Sequence, residues 1–125
     1  MELVRPPTLA AFFEYGGDLS CFPALEGLAE AVVVQRRLNT GRQNRQQAAF
    51  CRRCVDAWVD GGTTDTHLFP PDFVPCQLMV TTFAWQAECL EDERLADRFE
   101  AALPPALLVE NLRWVRQRQG EGRGR

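Results

Sequence analysis

Three thiols and one imidazole are the residues here whose types and order come closest to a chemical site. Cys51-x2-Cys54 is followed by His67 and then by Cys76. Three thiolates and a ring nitrogen can close a tetrahedral zinc site, and a two-residue gap suits two sulfurs on one metal. Against that reading, the first pair sits inside a helical pattern. Ala48, Cys51, Val55, Trp58 and Val59 fall on one stripe with Cys54 at its edge, while Arg52, Arg53, Asp56 and Asp60 turn away. A buried free cysteine behaves as a small hydrophobe. The expectation is therefore core thiols and no cofactor, with zinc on Cys51, Cys54, His67 and Cys76 as the alternative.

A redox role for the same pair is weaker. Such motifs open a helix, where the dipole supports the thiolate. This pair lies well inside its helix, beyond the dipole's reach. Nucleophilic catalysis would have to use His67, the one histidine, with Asp65 two residues before it. No glycine-rich phosphate loop, nucleophile elbow or paired carboxylates on an apolar face accompany it. Glu91-Asp92-Glu93 reads as the acidic start of a helix. No enzymatic activity is expected.

The charges are segregated. Residues 1–35 carry a net −4, residues 36–53 +6, residues 54–110 −9 and residues 111–125 +4, against −3 for the whole chain. All fourteen basic residues are arginine, so no ε-amine is present for Schiff-base chemistry. The segment Gln35 to Gln47, with Arg36, Arg37, Arg42 and Arg45, mixes arginine with amide side chains that contact phosphates and base edges. It holds no aromatic residue for stacking, and a pI near 5.2 is unusual for a nucleic-acid binder. Weak nucleic-acid binding is the alternative here, and charge complementarity to the chain's own acidic residues is the plainer reading.

The last helical pattern carries a different oddity. Leu108, Leu112 and Val115 make a core stripe, and Leu107, Asn111 and Trp114 make a second beside it. At ~100° per residue the apolar arc is close to 160° wide. Tryptophan edged by Arg113, Arg116 and Arg118 has the composition of an interface. Leu107, Asn111, Trp114 and Arg118 are accordingly the candidate surface for a protein partner or self-association.

Helical periodicity positions all of these groups. Thr8 is expected to cap a first helix from Leu9 to Tyr15, stopped by Gly16-Gly17. Ser20 is expected to cap a second, with Pro23 in its first turn and Leu25, Leu28, Ala29 and Val32 on one stripe. Val32-Val33-Val34 is the one place where a strand competes. Asn39-Thr40-Gly41 breaks the chain before a third helix, from about Arg42 to Asp60, that stops at Gly61-Gly62. Residues 61–75 read as a crossover pinned on the core by Leu68, Phe69, Phe73 and Val74. A fourth helix is expected from Cys76 to Leu90, a fifth from Asp92 to Leu103, and a sixth from Pro105 to Gln119. The Gly/Arg tail, 120–125, is too polar to order alone.

A chain of 125 residues, 46% hydrophobic and 25% charged, is one domain's worth and not a disordered composition. No apolar run approaches a membrane span, no signal peptide is read, and an odd cysteine count suggests a reducing, intracellular setting. The sequence reads as an all-α, compact single-domain bundle of five to six short helices over residues 1–119. Its expected role, reached by elimination and by the wide last helix, is a non-enzymatic protein-interaction module of the adaptor, assembly or regulatory kind.

Overall fold

A computed structural model describes residues 3–18, 23–61, 69–70, 72–103 and 117, with backbone only for residues 23–29. Five helices run through them: α1 (Leu9–Glu14), α2 (Pro23–Leu38), α3 (Gly41–Val59), α4 (Gln77–Glu91) and α5 (Glu93–Ala102). No strand occurs among the described residues, so the chain is an all-α bundle.

Local chemistry sets the ends of these helices. The Thr8 hydroxyl accepts from the Ala11 N–H at 3.1 Å and starts α1. Gly17, at φ +63°, sits where a Cβ would come within 2.9 Å of the Phe13 ring, so glycine is required for both backbone and space. Thr40 and Gln43 form a reciprocal capping box that begins α3 one residue ahead of the expected Arg42. Asp92 both ends α4 and caps α5, accepting from the N–H groups of Arg94 and Leu95. The acidic triplet thus divides: Asp92 and Glu93 start a helix, and Glu91 closes the one before.

The valine run resolves as helix. Val32 and Val33 are buried against Trp85, Phe99 and Leu103, and that burial outweighs the rotamer cost of β-branching. Ser20 and the sixth helix, Pro105 to Gln119, lie outside the described residues, apart from the helical Gln117.

Helix α4 is the hub. It packs most extensively on α3 and also meets α2 and α5. Three apolar clusters surround it. Leu9, Phe12, Val32, Val33, Trp85, Cys89, Ala96, Phe99 and Leu103 join α1, α2, α4 and α5. Ala48, Cys51, Ala87 and Leu90 join α3 to α4, as do Cys54, Val55, Trp58 and Val80 further along. The crossover is pinned as expected by Phe69 and Phe73, whose rings stand 5.6 and 6.0 Å from that of Trp58. Val74 departs from the expectation. It is 84% exposed, because it turns outward just before α4 begins. Leu68 lies outside the described residues.

Candidate functional site

The third helix places Cys51 and Cys54 one turn apart, both facing inward. Cys51 lies among Ala48, Ala87 and Leu90, and Cys54 beside Val55, Trp58 and Val80. Cys54 is thus fully inside the core, not on the edge of its stripe, while Val59 is only half-buried. Burial pushes the Cys51 thiol up to about 12, partly offset by the Gln47 amide 3.8 Å from its sulfur. The Cys54 thiol is raised by burial and eased by Arg53. Cys76 is exposed at the start of α4, and His67 lies outside the described residues. Among the described residues no three histidine, cysteine or acidic side chains form a group that could hold a metal. The four described cysteines are free thiols.

The basic band divides in two. Arg37 Nη2 lies 2.8 Å from both carboxylate oxygens of Glu100, and Arg36 Nη2 lies 3.5 Å from Glu93 Oε1. Both therefore bind α2 to α5. Further along, Arg52 pairs with Glu91 and joins α3 to α4; this pairing holds the Glu91 carboxyl below its ordinary value. Arg42 and Arg45 behave differently. They point to solvent from the first two turns of α3 and make no ion pair among the described residues. Cations there oppose the helix dipole, as does Asp56 in the last turn.

Of the candidate partner surface, Leu107, Asn111, Trp114 and Arg118 all lie outside the described residues. What sequence reasoning missed lies at the other end of the chain. Residues 3–8 form an extended strap across α3 and α4. The Gln77 side-chain amide accepts from the Val4 N–H at 2.9 Å and donates to the Val4 carbonyl at 2.8 Å. Arg5 Nη1 lies 2.8 Å from Asp56 Oδ1, with its other terminal nitrogen 3.8 Å from Asp60. The Trp85 indole N–H donates to the Pro7 carbonyl, and Glu88 accepts from the Leu9 N–H at 2.8 Å. Half-burial raises the Glu88 carboxyl above its usual value, against the opposing pull of that N–H and of Arg52.

Between the strap and the two helices is a cavity of about 350 Å³, with Val55 and Ala84 on its walls and Arg52, Asp56 and Glu88 around them. Val4 of the strap, with Val74 and Leu78, is exposed around the start of α4, at 62%, 84% and 39% respectively. The signal for the strap was Pro6-Pro7 just ahead of a helix cap. Proline pairs stay extended, but nothing in their spacing names the helices they cross. No family model, curated protein or solved structure matches the chain.

Proposed function

We propose that this chain is a non-enzymatic protein-interaction module that binds a protein partner or a second copy of itself. The observation that carries the reading is the distribution of exposed groups around α4. Apolar Val4, Val74 and Leu78 gather in the open at its start, whereas Arg36, Arg37 and Arg52 are engaged by the chain's own acids. Single exposed apolar residues are ordinary; three around one helix end favour a contact surface. The wide apolar arc and Trp114 of the last helical pattern add a second candidate contact, composed of Leu107, Asn111, Trp114 and Arg118. No helix among the described residues is long and apolar enough to cross a membrane.

A nucleic-acid reading rests on Arg42 and Arg45, which point outward without an ion pair among the described residues. Affinity capture with the full chain, with and without nuclease, separates the two. The interaction reading expects a protein recovered equally in both, and weaker recovery with Trp114→Ala at an unchanged melting temperature. Recovery that disappears with nuclease favours the arginines instead.

A further inference from the structure

We infer that the groove between α3 and α4 is a recognition site for an extended Arg-Pro-Pro segment of a protein partner, and that residues 3–8 occupy it in cis. The inference rests on the protein-interaction reading and names the chemistry of the partner.

The strap is held as a peptide ligand is held. Three of its polar backbone groups are met by side chains of α4. Gln77 satisfies both the N–H and the carbonyl of Val4, and Trp85 donates to the carbonyl of Pro7. Pro6 and Pro7 have no N–H to satisfy and are already extended, so ordering them loses little entropy. Docking of a preformed, extended Pro-rich segment in a groove is a recurring mode of peptide recognition, and here the donor to the Pro7 carbonyl comes from an otherwise buried indole. Asp56 and Asp60 supply the carboxylates for Arg5.

Little of this depends on which chain supplies the segment. Val4, Pro7 and Thr8 are exposed, and Leu3 and Pro6 are half-buried. What the groove reads is therefore backbone at Val4 and Pro7, the Leu3 side chain against the Val55 and Trp58 cluster, the Pro6 ring and one guanidinium. Nor does the strap fill its place. A cavity of about 350 Å³ remains between Arg5 to Thr8 on one side and Arg52, Val55, Asp56, Ala84 and Glu88 on the other. A tethered occupant of this kind competes at an effective concentration in the millimolar range. Weakening its hold should therefore expose the groove to a segment added in trans.

The test uses the full chain and the synthetic hexapeptide Leu-Val-Arg-Pro-Pro-Thr, followed by NMR at the Trp85 indole and Gln77 side-chain amide signals. In Arg5→Ala, where the strap loses its ion pairs at the surface, both signals should shift on adding peptide to about 5 mM, at a midpoint at least about fivefold lower than in wild type. The same peptide with glutamate for arginine should shift neither, and Gln77→Ala in the Arg5→Ala background should abolish the response at the Trp85 indole. No shift in either chain, or an equal response to the glutamate peptide, overturns the inference. So does a wild-type dimer that dissociates in Arg5→Ala, since the strap would then be exchanged between copies. Because the peptide probes the groove alone, its failure leaves capture through Leu78 or Trp114 intact and is distinguishable from failure of the interaction reading.

Discussion

The indole N–H of Trp85 donates to the carbonyl of Pro7 across 2.9 Å, so a core side chain is also the clasp of the N-terminal strap. The same ring stands 4.7 Å from Phe12 and 6.3 Å, edge-on, from Phe99. Packing and hydrogen bonding at this position can be separated. Trp85→Phe keeps a ring but loses the donor, and should lower stability by about 1–3 kcal/mol. Trp85→Ala removes both and should lower it by about 3–5 kcal/mol. Chemical denaturation of the two variants checks the difference, and equal losses would show that the clasp and not the ring dominates.

Glu88 and Glu91 should respond to pH in opposite senses. Burial raises the Glu88 carboxyl in the folded chain, so the fold binds its proton more tightly than the unfolded chain does. Its stabilising contribution is complete below the ordinary value of 4.5 and is lost as pH rises through the folded value. Glu88→Gln, which keeps an acceptor for the Leu9 N–H, should therefore exceed wild type in stability at pH 7 and converge with it in acid. Glu91 is lowered by Arg52, so its contribution is present above 4.5 and fades as pH falls through the folded value. Glu91→Gln should be the less stable chain at pH 7, by up to about 1 kcal/mol for a surface pair, and should match wild type in acid. Thermal melts across pH 3–8 read both.

The cysteines should differ sharply in reactivity. Burial pushes the Cys51 and Cys89 thiols up to about 12, leaving almost no thiolate at neutral pH. In a Cys21→Ser background, a thiol reagent should label Cys76 in the folded chain and reach Cys51, Cys54 and Cys89 only after denaturation. The same protein should hold no stoichiometric zinc. One equivalent of metal, lost in Cys54→Ser, would establish the zinc site instead, because structural zinc is itself folding energy.

Arg42 and Arg45 oppose the dipole of α3. Replacing them by glutamate should raise stability by about 0.3–1 kcal/mol, mostly at Arg42, because the effect fades beyond the first turn. Any nucleic-acid affinity of the wild-type chain should be weak, fall steeply with salt and be absent from this double variant. Salt-resistant, sequence-selective binding would contradict the reading.

Most of the helical framework was legible because it is local chemistry. Thr8, Thr40 and Asp92 with the glycines at 16–17 and 61 mark helix ends within a residue or two of where they fall, and apolar spacing marks the inward faces. The valine run was ambiguous because β-branching and burial pull oppositely, and only the packing partners of Val32 and Val33 decide between them. Val74 looked like a core anchor because hydrophobicity does not encode direction at the turn into a helix. Complementarity between the basic band and the acidic segment was visible as net charge, but the pairing of Arg37 with Glu100 needs α2 and α5 side by side. The strap was invisible for the same reason: its bonds to Gln77, Trp85 and Glu88 span more than 70 residues.

Quantitative capture by two double variants of the full chain tests the interaction reading most directly. Val74→Asp/Leu78→Asp alters exposed positions at the start of α4, and Arg42→Glu/Arg45→Glu alters the outward arginines. Both should keep the helical spectrum and melting transition of wild type to within a few degrees. The predicted result is loss of the captured protein in the first variant and full retention in the second, after nuclease treatment of the lysate. Retention in the first together with loss in the second would contradict the account, placing the contact on the arginines of α3.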